Sequence, residues 1–104
     1  MTRVAFKMQL KKGLEAEYKK RHDEIWRELS SLLKGSGISN YSIFLDAETN
    51  ALFGVLDIEK PASLDELPKE PIMQKWWKYM ADIMDSNPDS SPVSIPLKEV
   101  FYLP

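Results

Sequence analysis

The stretch "NYSIFLDAETNALFGVLDIE", residues 40–59, holds two apolar runs parted by a polar tetrapeptide. In the first run Tyr41, Ile43 and Leu45 fall on one side and Phe44 on the other, and in the second Leu52 and Phe53 point opposite ways. A β-strand imposes this period of two. The intervening "AETN" supplies a turn, so the stretch reads as a hairpin. What lies on either side of the hairpin then settles the architecture.

Upstream, Val4, Phe6, Met8 and Leu10 alternate with Ala5, Lys7 and Gln9, which predicts a first strand. After Gly13, the residues Leu14, Tyr18, Ile25, Leu29 and Leu32 recur at helical spacing until Gly35 offers a terminating left-handed residue, which predicts one helix. Downstream, Pro61, Pro68 and Pro71 restrict "ASLDEL" to a short helical piece, and a longer helix follows from about Ile72 to Met84. The segment "SNPDSSPVSIP", with three prolines and four serines, reads as an ordered loop packed through Val93 and Ile95. The closing "KEVFYL" reads as a last strand. The order β-α-β-β-α-β is that of the ferredoxin-like split β-α-β fold, an α+β design with a four-stranded antiparallel sheet and two helices on one face. Both faces of the hairpin carry apolar groups, more than helices on one side can cover. A second subunit on the helix-free face, making a homodimer, accounts for them; loops of the same chain are the plainer alternative.

Composition narrows the function. A chain of 104 residues with 43% hydrophobic content is the size and make-up of one domain, residues 1–104. Its 14 basic residues stand against 16 acidic ones with no long run of one sign, so it offers no basic footprint for nucleic acid. It has no cysteine, which excludes disulfides, thiolate nucleophiles and zinc-finger sites. One histidine and no cysteine leave only oxygen ligands, and no spacing of an ion-binding loop appears, so no metal is expected. No window has the eighteen or more apolar residues of a membrane span, and the start lacks a secretory apolar core. The chain reads as soluble and cytoplasmic.

Few residues can carry chemistry. His22, the only histidine, lies four residues after Tyr18 and three before Ile25, on the inward stripe of the first helix. It is either a core histidine satisfied by a hydrogen bond or, with the Tyr18 hydroxyl one turn away, part of an acid/base pair. In "MQKWWKYM", residues 73–80, Trp76 continues the stripe of Ile72 and Ile83 while Trp77 starts another. Two adjacent indoles span a wide face and bring two N–H groups that need partners when buried, which suits a cleft wall better than core filling. Asp85 and Asp89 in "DSNPD" are turn formers by type, Asp89 being the one carboxylate retained as a candidate base.

Taken together, "YxxRHxxIW" from Tyr18 to Trp26, "NYSIFLD", "WWKYM", the "NPDxSP" loop and the terminal "KEVFYLP" resemble the L-rhamnose mutarotase family over nearly the whole chain. Only the proline-rich "KPASLDELPKEPIM" departs from that pattern. The resemblance implies a dimeric α+β barrel that interconverts the α and β anomers of L-rhamnose without a cofactor. It also implies that His22 is the proton donor and that Tyr18, Tyr41, Trp76 and Trp77 contact the sugar. Ring opening needs an acid at the ring oxygen and a base at the anomeric hydroxyl, and a histidine can serve either role near neutral pH. A bound water, Tyr18 or Asp89 are the candidates for the other role. Two different functions suit the same features: a cofactor-independent monooxygenase, which oxygen uptake would reveal, and a non-catalytic sugar-binding module, which would not accelerate anomer exchange.

Overall fold

In the computed structural model, which describes residues 1–104, the chain forms strands β1 (Thr2–Gln9), β2 (Ile38–Asp46), β3 (Ala51–Ile58) and β4 (Ile95–Leu97) and helices α1 (Glu15–Asp23), α2 (Arg27–Gly35) and α3 (Pro71–Met80). The strands lie in the order β2-β3-β1-β4 with every neighbouring pair antiparallel. Strand β3 sits between β1 and β2, so the crossover from β1 through the first two helices to β2 is split by an inserted strand, as the order of elements predicted. The turn between β2 and β3 is built from its own polar groups. Glu48 N donates to Asp46 Oδ1 at 3.0 Å, Asn50 N donates to Asp46 O at 2.8 Å, and Asn50 adopts a φ of 63° that asparagine tolerates.

Strand β2 contains a feature invisible in its alternation. Ser39 pairs with Asp57 and Ser42 with Val55, so Asn40 and Tyr41 together oppose the single residue Leu56. This is a β-bulge, with Asn40 at a φ of 50° and its amide held to Asp57 Oδ2 at 3.1 Å. The extra residue shifts the pleat by one. Ile38 before the bulge and Ile43 and Leu45 after it all pack toward the helices, and Tyr41 is aimed the same way.

The core lies between the sheet and the helices and includes Met8, Leu10, Leu29, Leu52, Met73, Trp76 and Met80; a smaller group of Ile38, Leu56 and Ile58 continues it. Only 15 of 104 residues are buried, because the helix side of the sheet encloses a cavity and the other side is open. On that open side Phe44 stands opposite Phe53 and is 64% exposed.

Three expectations are corrected. The single helix over Leu14–Leu32 is two helices, because Trp26 takes an extended backbone (φ −60°, ψ 134°) at the start of α2. Neither glycine nor proline marks this break; Trp26 instead packs its ring on Trp76 and Tyr79, and tertiary packing overrides the helical pattern. The last strand is Ile95–Leu97 and not "KEVFYL", whose Val100, Phe101 and Leu103 are exposed and unpaired. Pro96 is tolerated there because β4 is an edge strand bonded to β1 alone. The last helix ends at Met80, after which Met84 bridges to Leu10. The proline-rich segment forms two short 3-10 turns, Pro61–Asp65 and Leu67–Lys69. No helix is long and apolar enough to cross a membrane.

Candidate active site

Helix α1 places Tyr18 and His22 one turn apart on its inner side, where their rings stack with centroids 4.3 Å apart. His22 Nδ1 lies 3.1 Å from the Tyr18 carbonyl oxygen. A carbonyl only accepts, so Nδ1 carries the hydrogen and donates, and Nε2 of the neutral ring is left with a free lone pair. From α3, Trp76 meets the imidazole edge-on with centroids 5.4 Å apart. The ring is therefore fixed on one face, on one edge and at one nitrogen. Burial pushes the His22 pKa below 6.5; the bond to the Tyr18 carbonyl and the charge of Asp23 oppose that shift but do not overcome it. His22 is neutral at pH 7.

These side chains open on a cavity of about 1080 Å³ between the sheet and the helices. That is ample for a monosaccharide, since small-molecule sites commonly run from about 300 to 1,000 Å³. Its floor is apolar, with Phe6, Met8, Leu52 and Leu56 from the sheet, and its polar groups are few. Tyr18 is buried and its hydroxyl is held well above the ordinary tyrosine range, by burial first and by the nearby Tyr41 second. Tyr41, re-aimed by the bulge, is 39% exposed over the whole residue, yet its hydroxyl end lies inside, where desolvation pushes its pKa up to about 12. Both phenols thus stay protonated and can donate. Neither hydroxyl is hydrogen-bonded to the protein, and the buried Tyr18 hydroxyl is still reachable from the cavity. Trp76 is 6% exposed and belongs to core and cavity alike, whereas Trp77 is half-buried and lines the cavity wall.

The comparisons with known proteins agree with one another. A family profile described as L-rhamnose mutarotase matches residues 3–103. The chain belongs to the L-rhamnose mutarotase family. Among its relatives, the L-rhamnose mutarotase of Mesorhizobium japonicum is 58% identical over 101 residues, 97% of this chain and 96% of that protein. That of Rhizobium etli is 60% identical over 100 residues, 96% of this chain and 94% of its own. The crystal structure of L-rhamnose mutarotase from Formosa agariphila superposes with a TM-score of 0.93 at 53% identity, covering 100% of both chains.

Within this mutarotase-family chain, Tyr18, His22, Tyr41, Trp76 and Trp77 all line the one cavity. Asp89 does not. It is fully exposed and accepts from the backbone and hydroxyl of Ser91, at 3.0 and 2.5 Å, so it builds the turn of the loop. These bonds hold its carboxyl below the usual carboxylate range, against any role as a neutral-pH base. The residue that the loop delivers to the cavity is Ser91, with Pro92 and Ser94, and no feature of the sequence distinguished Ser91 from its serine neighbours. Trp26, the third tryptophan, backs Trp76 with ring centroids 5.1 Å apart. No group of three His, Cys, Asp or Glu side chains comes together as a metal site.

Proposed function

We propose that this chain, acting as one cofactor-free cytoplasmic domain over residues 1–104, is an isomerase that interconverts the α and β anomers of L-rhamnose, with His22 as its acid/base group. The observation that carries the proposal is the neutral imidazole pinned through Nδ1, with Nε2 unpaired and two unpaired phenols lining the same cavity. The net change on ring opening is one proton moved from the anomeric hydroxyl to the ring oxygen as the bond from C1 to the ring oxygen breaks and the aldehyde forms. Nε2 accepts that proton from the hydroxyl and then donates it to the ring oxygen, both oxygens being bonded to the same carbon. Rotation about C1–C2 and the reverse steps give the other anomer. Tyr18 and Tyr41 donate hydrogen bonds that steady developing negative charge on oxygen, and Trp76 and Trp77 face the apolar side of the sugar while their N–H groups meet its hydroxyls. The direct test is saturation-transfer NMR of the two rhamnose anomers. Exchange between their resonances should quicken in proportion to added protein, and an unchanged exchange rate would leave only a sugar-binding role.

A further inference from the structure

Arg21 directly precedes His22, yet it lines none of the cavity, and its side chain is only 11% exposed. Its guanidinium is committed in four directions. Nε donates to Glu17 Oε2 at 2.8 Å within α1; Nη1 donates to Asp82 Oδ1 at 2.8 Å and to the Tyr79 carbonyl at 2.8 Å; and Nη2 donates to Asp82 Oδ2 at 3.2 Å. The same group lies over the Tyr79 ring at 4.5 Å. Tyr79 is in the last turn of α3, where carbonyls lack a helical partner and a cation is favoured. These are the hydrogen bonds that join α1 to the end of α3. From Tyr79 the packing runs back to the imidazole: Tyr79 to Trp76 at 5.7 Å, with Trp26 against both, and Trp76 to His22 at 5.4 Å. The chain of contacts that leaves at residue 21 returns at residue 22.

We propose that Arg21 is a positioning residue for His22: forked onto Asp82 and the Tyr79 carbonyl, it locks the last turn of α3 to α1 and so holds Trp76 perpendicular against the imidazole. Helix α1 is nine residues long and breaks just after His22, so its own backbone does not hold that ring to the wall opposite. The groups that face the imidazole are Tyr18 and Asp23 of α1 and Trp76 of α3, and Tyr41 of β2 lines the same cavity. Arg21 is not among them, so it acts through packing and not through its charge on the ring. Lysine cannot replace it, because an ammonium does not fork onto a carboxylate and a carbonyl from one plane.

The inference rests on His22 being the proton-exchanging group, and its test has a readout apart from activity. His22 is the only histidine, so its ring-proton NMR signals are unambiguous. In Arg21→Gln the rate constant kcat should fall about ten- to a hundredfold, the scale of a small misplacement at a reacting centre. Its KM should stay within about twofold, because the cavity walls remain. Arg21→Lys should not restore kcat. Asp82→Asn changes an exposed carboxylate, so the melting temperature should hold while kcat falls in the same direction. In all three the His22 signals should move as the ring currents of Tyr18 and Trp76 shift. Native kcat and unmoved His22 signals in Arg21→Lys and Asp82→Asn, with only melting lowered, would reduce Arg21 to a structural tie and overturn the inference. Should Arg21→Gln fail to fold, those two variants decide alone. If His22 were not the catalyst, the signals would still move while kcat stayed native, which separates the two failures.

Discussion

The imidazole of His22 supplies the sharpest expectations at the scale of single residues. His22→Ala should fold and exchange anomers about a hundredfold more slowly or worse, the usual contribution of a positioned acid/base group. In the proposed role, the burial that lowers its pKa makes the neutral ring the working form. Acidification fills the Nε2 lone pair, so the exchange rate constant of bound sugar should be level near pH 7 and fall as the pH drops through a value below 6.5. A rate that climbed on acidification would mean that the imidazolium is active instead. Stability follows the same sign: below pH 6.5 the unfolded chain takes a proton that the folded chain resists, so folding weakens. The indoles divide differently. Trp77→Phe keeps an apolar ring and removes the N–H, so melting should hold while rhamnose affinity falls by about 0.5 to 1.5 kcal/mol. Trp76→Ala, at a position 6% exposed, should cost about 3 to 5 kcal/mol of stability as well. Thermal melts and sugar titrations of the two variants check both halves. These residues could be found in the sequence because each is a rare type on a helical stripe or a strand alternation. Arg21 could not: "KKRH" resembles a solvated face, and its partner Asp82 is 61 residues away.

Among the elements, the sheet shapes the cavity through one close approach. Phe6 of β1 stands opposite Gly54 of β3, and its ring lies across the space a side chain there would take. A Cβ on Gly54 would come within 2.5 Å of the Phe6 ring. Gly54→Ala should therefore tilt Phe6 off the sheet and into the cavity. The overpacking should lower stability by about 1 to 3 kcal/mol, and rhamnose affinity should drop with it. A Phe6→Leu, Gly54→Ala double variant should recover part of the binding; calorimetry on the three proteins would show whether it does. At this scale the sequence was readable where a pattern repeats. Strands β1 and β3 and helix α3 each alternate or recur over at least eight residues, and β2 alternates from Tyr41 to Leu45 once past its bulge. It was unreadable where a single long-range contact decides. The break at Trp26 is set by rings from α3, and β4 is three residues of a proline-rich loop that β1 recruits, while the more strand-like "KEVFYL" finds no partner.

For the molecule as a whole, the open side of the sheet is the unsolved surface of the lone chain. Phe44 is 64% exposed, and the tail beyond β4 holds out Val100, Phe101 and Leu103 at 90%, 76% and 78% exposure. A homodimer with its sheets face to face would bury these groups, and we propose that assembly. Sedimentation at micromolar concentration should give twice the chain mass, and Phe44→Glu should shift the protein toward monomer; a monomeric parent chain would end the idea. In that assembly the sheet would serve two masters, a cavity on one side and a subunit contact on the other. Along β1 and β3 the even-numbered residues Phe6, Met8, Leu52 and Leu56 belong to the cavity side. On β2 even-numbered Ile38 belongs there too, but after the bulge at Asn40 the odd-numbered Tyr41, Ile43 and Leu45 take over. Evolutionary drift along these strands should therefore run on two clocks, one for sugar recognition and one for assembly. In an alignment of diverging descendants the two should interleave residue by residue and exchange places at Asn40, where an insertion or deletion would turn the sugar-facing residues toward the partner.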